Sequence, residues 1–320
     1  MSTPYYSDES VTLWHGDALD VLRTMPDESV NCVVTSPPYY GLRDYGEAGQ
    51  YGLEETPAAY VATMRLVFAE VRRVLTEDGT LWLNLGDSYV TSDRGPDGSS
   101  SGLTNGAQHR ARHSPRFDRP RKNLLGIPWR VALALQDDGW IWRNLVIWAK
   151  TNGMPESVTD RLATRHEPVL LFARSQRYWF DLDSVRVPYA ESTVQHAPRR
   201  EFARKDATAA YFGNPQGGLD RQPHFDQERA GRNPGDVWQF PTQPFSGAHF
   251  AVMPAALAER CVLAGCRPGG VVLDPFCGSG TTGLVATKTG RRFVGIDVGS
   301  KYLDLALKTR LAQIAMGDVS

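Results

Sequence analysis

Apolar and polar positions along this chain follow two periods, and the switches between them divide it into strands and helices. Val30-Asn31-Cys32-Val33-Val34 is an apolar run of strand length and reads as a buried strand. Thr56 and Pro57 make a sound helix start. Val61, Met64, Phe68, Val71 and Leu75 then recur at helical spacing, and Gly79 is expected to stop the helix. Thr80 to Leu85 reads as a strand, Pro128 to Asp138 as a helix ended near Gly139, and Ile141 to Ala149 and Pro168 to Ala173 as strands. Pro254 to Ala264 forms an amphipathic helix, while Val271-Val272-Leu273 and Phe293-Val294-Gly295-Ile296 are short buried strands. Tyr302 to Ile314 is a last helix, so the whole pattern predicts a packed α/β core.

The apolar run at Val30 leads directly into Thr35-Ser36-Pro37-Pro38-Tyr39-Tyr40. Two prolines stop the strand, because neither donates to a ladder and each fixes φ near −65°. A small hydroxyl, free carbonyls and a flat ring are thereby held on one rigid arm. Such an arm suits a planar base with an exocyclic amine: the oxygens accept from its N–H groups and the ring stacks on it. An isolated Ser-Pro-Pro-Tyr is also an ordinary strand ending; what singles it out here is a second motif.

After Val271-Val272-Leu273 come Asp274-Pro275-Phe276-Cys277-Gly278-Ser279-Gly280-Thr281-Thr282-Gly283 and then a helical pattern. Strand, glycine loop and helix in this order form a nucleotide-type site, and Gly278, Gly280 and Gly283 satisfy G-x-G-x-x-G. A dinucleotide is disfavoured, since a carboxylate at Asp274 repels a pyrophosphate but suits an ammonium group. Too little chain follows the loop for a complete dinucleotide domain, and no Lys follows the glycines as in a phosphate-cradling loop. Asp297, at the end of the next strand, stands where an acid commonly accepts from both hydroxyls of a ribose. The two acids together fit S-adenosylmethionine.

With both motifs in view, the chain resembles the DNA amino-methyltransferases of the permuted β group, which modify N4 of cytosine or N6 of adenine. Thr35-Ser36-Pro37-Pro38-Tyr39 matches the catalytic motif and Asp274 to Thr281 the cofactor loop, with weaker matches at Gly16-Asp17-Ala18-Leu19 and Ala248 to Pro254. The resemblance implies a Rossmann-like S-adenosylmethionine-dependent methyltransferase fold, circularly permuted, with a loop-rich target-recognition insert. Residues 1–183 would be the catalytic half, 184–236 the insert and 237–320 the cofactor half. It assigns catalysis to Ser36, Pro37, Pro38 and Tyr39. It assigns S-adenosylmethionine binding to Asp17, His249, Phe250, Asp274, Phe276, Gly278, Ser279, Gly280, Thr281 and Asp297. Asp17 either meets the cofactor's adenine amine or simply forms a turn.

Composition bounds the class. A chain of 320 residues with 41% hydrophobic and 22% charged residues can bury a substantial core. No uninterrupted apolar stretch long enough for a membrane and no signal-like N-terminus are visible, so a soluble, cytoplasmic protein is expected. Cys32, Cys261, Cys266 and Cys277 lack metal-ligand spacing, and no metal is expected.

A net charge of −1 advertises no strong DNA binder, but the local pattern does. Between Ser88 and Asn123 seven cations face three acids beside a Gly- and Ser-rich run, a composition expected of a mobile basic loop closing over DNA. Arg110, Arg112, Arg116, Arg119, Arg121 and Lys122 are its candidate contacts. The stretch from Ser184 to Gly235 carries eight cations and six acids without periodicity, and Arg199 and Arg200 are candidate contacts there. The expected partner is double-stranded DNA; the resemblance admits a cognate restriction endonuclease and a monomer or homodimer.

An exocyclic amine inside a duplex must be flipped out to be held in a pocket. Ser36 and the Pro37 carbonyl would then accept its N–H groups and Tyr39 would stack on the ring, so that positioning supplies most of the acceleration. In the family, Ser before Pro-Pro-Tyr goes with N4 of cytosine, which makes N4-cytosine the expected target and N6-adenine the alternative. A catalytically silent DNA-binding module and an RNA or small-molecule methyltransferase are more distant alternatives.

Overall fold

The computed structural model describes residues 3–42, 46–47, 49–90, 119–189, 231–243 and 253–311. The chain forms two compact units, Met1–Asp181 with Asp236–Ser320, and Leu182–Gly235. Among the described residues of the second, a short 3₁₀ turn at Asp183–Val185 precedes an antiparallel bridge between Val187 and Arg232.

In the first unit the N-terminal elements are β1 (Tyr6–Ser7), β2 (Val11–His15), α1 (Ala18–Thr24), β3 (Val30–Thr35), α2 (Pro57–Val74) and β4 (Leu75–Asn84). The middle of the chain gives α3 (Ile127–Asp137), β5 (Ile141–Lys150), β6 (His166–Ala173) and β7 (Val237–Phe240). The last elements are α4 (Ala255–Gly265), β8 (Val271–Asp274), α5 (Thr281–Lys288), β9 (Arg292–Asp297) and α6 (Ser300–Ala306). Among the described residues nine strands join one sheet in the order β1-β2-β9-β8-β3-β4-β6-β5-β7. The pairs from β2 through β9, β8 and β3 to β4 are parallel, whereas β4, β6 and β5 pair antiparallel.

Side chains of a strand alternate between faces, and both faces here are covered. Val33, Leu81, Leu83 and Leu273 join one buried cluster with Leu22 of α1, Phe68 and Val71 of α2 and Val131 and Leu135 of α3. Their neighbours Cys32, Thr80 and Trp82 turn to the other face, where Gly265 of α4 sits against all three. Near-continuous apolar strands are thus the mark of a doubly covered sheet.

Several boundaries differ from the sequence reading by a residue or two, and three differences bear on the packing. The helix begun by Thr56, whose hydroxyl accepts from the Ala59 N–H at 3.1 Å, ends at Val74, before Gly79. Leu75 is drawn into the ladder opposite Val30, so the strand starts earlier and passes through Gly79. The last helix starts at Ser300 and passes into a π-helical turn at Leu307–Leu311. No helix among the described residues is long and apolar enough to cross a membrane.

Strand order decides where a ligand can sit. From β8 the chain runs outward to β9 on one side, and on the other side β3 leads outward to β4. The sheet therefore reverses its winding between β8 and β3, and the carboxyl ends of these two strands open a crevice.

Gly265 gives a test of the packing. A Cβ there would collide with Trp82 and approach the Thr80 hydroxyl to 2.6 Å, with no room to move on the strand side. Gly265→Ala is expected to destabilise the protein by about 1–3 kcal/mol in urea unfolding, with an unchanged m-value. A neutral result would mean that α4 does not press on the sheet as described.

Candidate active site

Thr35 and Asp274 end the two strands that flank the crevice. The Thr35 hydroxyl donates to Asp274 Oδ1 at 2.6 Å, across 239 positions of chain. The Thr282 hydroxyl donates to Oδ2 at 2.9 Å, and the Phe276 N–H reaches Oδ1 at 3.1 Å. All of these donors are neutral, so the carboxylate is oriented without being neutralised. Burial pushes its pKa up to about 6, although each of these hydrogen bonds acts to lower it.

Asp297, at the end of β9, braces the glycine loop. Its Oδ2 accepts from the Gly278 N–H and its Oδ1 from the Gly299 N–H, both at 2.8 Å. Burial raises its pKa too. Gly280, with φ of +78°, turns the loop into α5, and a Cβ on it would meet Ala306 at 2.9 Å. Gly280 therefore shapes the cradle from behind. Burial pushes the Cys277 thiol far above its ordinary value, so it stays a neutral, packed side chain.

The proline arm leaves β3 beside this loop. The Pro38 carbonyl accepts from the Tyr60 hydroxyl of α2 at 2.9 Å, which ties the arm to the helix layer. The Tyr39 ring lies against Gly86, where any Cβ would collide with it. At the ring's far end the Tyr39 hydroxyl meets Glu167 Oε2 at 2.7 Å and Asn84 Oδ1 at 3.2 Å, and the Ser36 hydroxyl donates to it at 3.3 Å. Glu167 Oε1 in turn pairs with Lys150 Nζ at 2.5 Å. Burial and the Glu167 charge hold the Tyr39 phenol well above its usual pKa, so it remains a donor.

Arm and loop enclose one cavity of about 530 Å³. Ser36, Pro37, Pro38 and Tyr39 line one wall, and Asp274, Phe276, Gly278, Ser279, Thr281 and Asp297 the other. Asp17 does not line it, although its neighbour Ala18 does. The Asp17 carboxylate caps α1 by accepting from the Asp20 N–H at 3.0 Å and takes the Tyr51 hydroxyl at 2.7 Å, so of its two sequence readings the structure favours the turn. Arg119, Arg121 and Lys122 are exposed away from the cavity wall, and Lys122 pairs with Asp160 at 2.5 Å. His249, Phe250, Arg110, Arg112, Arg116, Arg199 and Arg200 lie outside the described residues.

Sequence reasoning missed Asn84, Lys150 and Glu167, which also line the cavity. Their signal was faint: a polar residue at one end of each apolar strand, β4, β5 and β6, which matters only once the pairing brings those three ends together.

A family profile described as DNA methylase matches residues 30–308. The type II methyltransferase M.XycI of Xanthomonas campestris pv. cyanopsidis is 44% identical over 295 residues, covering 92% of this chain and 86% of the relative. The type II methyltransferase M.Cfr9I of Citrobacter freundii is 41% identical, with the same two coverages. Among solved structures, the cytosine-N4-specific PvuII DNA methyltransferase superposes with a TM-score of 0.64 at 19% identity, over all of this chain and 91% of its own. TTHA0409 of Thermus thermophilus, a putative DNA modification methylase solved with S-adenosyl-L-methionine, gives 0.57 at 27% identity, over 95% of this chain and 96% of its own. The Rossmann-like fold is common to both. The chain belongs to the DNA methylase family, the S-adenosylmethionine-dependent amino-methyltransferases of N4-cytosine and N6-adenine in their permuted order.

Proposed function

We propose that this chain methylates N4 of a cytosine flipped out of duplex DNA. The observation that carries the proposal is the shared cavity, in which the Ser36 arm faces the Asp274 loop. Two carboxylates, the buried Asp274 and the half-buried Asp297, line that cavity, and among the described residues neither forms a salt bridge with a cation. Uncompensated negative charge of this kind fits a ligand bearing an ammonium group and ribose hydroxyls.

When bound, S-adenosylmethionine supplies a methyl group on a positively charged sulfonium. Asp274 would hold the ammonium group. Asp297 would accept from the ribose hydroxyls through the lone pairs its two backbone bonds leave free. Phe276, Ser279 and Thr281 would complete that wall, with Gly278 and Gly280 shaping the turn; His249 and Phe250 are assigned to the cofactor by the motif match alone. Ser36 and the Pro37 carbonyl would accept the N–H groups of the target amine and aim its lone pair across the cavity, while Tyr39 stacks on the ring.

Cytosine is preferred because Ser precedes Pro-Pro-Tyr here. The basic segment ending at Arg119, Arg121 and Lys122 would grip the DNA backbone, and the unit Leu182–Gly235 would read the sequence. The type II names of the relatives support a cognate restriction endonuclease for the same site.

Purified protein with S-adenosylmethionine and duplex DNA is expected to yield N4-methylcytosine in the hydrolysed product. N6-methyladenine as the sole product would overturn the base assignment. Ser36→Ala is expected to lose roughly 100-fold or more in kcat while cofactor binding holds; undiminished turnover would remove Ser36 from the mechanism.

Asp274 gives a pH test. An ammonium ligand binds the anion, so cofactor affinity should be full above pH 7 and fall roughly tenfold per unit below the pKa of about 6. The raised pKa has the opposite sign for folding: between the ordinary value of 3.8 and about 6 the native state binds more proton than the unfolded chain, so stability falls as pH rises through that window. Asp274→Asn is therefore expected to keep or raise the thermal midpoint of the ligand-free protein at pH 8. The same variant should weaken S-adenosylmethionine binding by at least about tenfold in calorimetry. Unchanged affinity would exclude the carboxylate as the ammonium site.

A further inference from the structure

Glu167 and Lys150 reach the cavity from strands whose other contributions to it are apolar or absent. Glu167 is the second residue of β6 and Lys150 the last of β5, and the antiparallel register that opposes Trp148 to Glu167 brings the two charges to the same end of the sheet. Their side chains retain only 17% and 22% exposure, and Lys150 also lies 5.0 Å above the Trp148 ring. The two oxygens of Glu167 have different partners. Oε1 belongs to Lys150, and Oε2 receives the Tyr39 hydroxyl at 2.7 Å and the Asn84 amide at 3.2 Å.

These partners impose a direction. An ionised carboxylate only accepts, and the single phenolic hydrogen goes to the nearer, charged oxygen of Glu167 rather than to Asn84 Oδ1. The Tyr39 oxygen is then left as an acceptor, and the Ser36 hydroxyl donates to it. A hydroxyl with its one hydrogen committed inward shows only lone pairs to the cavity. This matters because a free serine hydroxyl can donate as well as accept, and donation into the amine would tie up the electron pair that must attack.

We propose that Glu167, held by Lys150, is a positioning residue that fixes the direction Ser36 to Tyr39 to Glu167 and so makes Ser36 an obligate acceptor for the target amine. Its premise is that Ser36 receives the amine, as proposed above. A carboxylate or an amide oxygen in the place of Ser36 would need no such device, since either accepts by nature. Serine acquires the same one-way character from a charge two hydrogen bonds away.

Glu167→Gln separates the charge from the shape. Lys150 would draw the amide oxygen to itself, leaving the NH₂ group to donate to Tyr39 and reverse the chain. The expected result is a roughly 10–100-fold fall in kcat, with KM for DNA, cofactor affinity and thermal midpoint near those of the parent. Adding Lys150→Met frees the amide to turn its oxygen back to Tyr39 and Asn84, so the double variant should be faster than Glu167→Gln alone. Undiminished kcat in Glu167→Gln, a loss that tracks lowered stability or cofactor binding, or a double variant no faster than the single one would each overturn the proposal. Ser36→Ala in the same assay separates the two levels. An inactive Ser36→Ala beside a fully active Glu167→Gln sinks only the positioning role, whereas a fully active Ser36→Ala sinks the premise and the role together.

Discussion

The hydroxyl of Thr35 set against the carboxylate of Asp274 is the contact on which the site depends. It is buried on both sides, so the polar atoms must find each other or remain unsatisfied at a cost of about 1–3 kcal/mol. That requirement locks the ends of β3 and β8 in register and brings the proline arm against the glycine loop. Its chemistry matters as much as its place. Threonine hydroxyls orient the carboxylate without discharging it, whereas a lysine or arginine would have oriented it equally well and cancelled the field that a cationic ligand needs.

The cavity wall thus contains two kinds of acid. Asp274 and Asp297 are held by neutral donors, and charge left without a cationic partner costs folding energy. Glu167 is paired with Lys150 and spends its charge inside the protein. Acids held by neutral donors and an acid paired with a lysine line one 530 Å³ space, and their partners alone tell them apart.

Much of this was legible in the sequence. Proline after an apolar run can only end a strand, and glycines after an acid at a strand end can only shape a turn, so the two motifs announced themselves by local chemistry. The strand and helix pattern followed from periodicity. What escaped was whatever depends on pairing between distant strands. Leu75 looked helical until its ladder partner Val30 was known, and nothing marked Glu167 and Lys150 as neighbours until β5 and β6 were set side by side. Asp17 left two readings open in the sequence, a ligand contact or a turn, and its carboxylate serves as a helix cap.

The strand order has a consequence for synthesis. β3 leaves the ribosome with β4 to cover one edge, but the strand that completes its other edge is β8, whose terminal Asp274 emerges 239 residues after Thr35. Throughout that interval the nascent polypeptide carries an apolar, unpaired edge at what will become the centre of the sheet. Closing so long a loop is slow, and an uncovered edge invites pairing with other chains. The arrangement that sets the proline arm beside the glycine loop in the finished chain therefore leaves the half-made chain with an edge that early chaperone binding would protect.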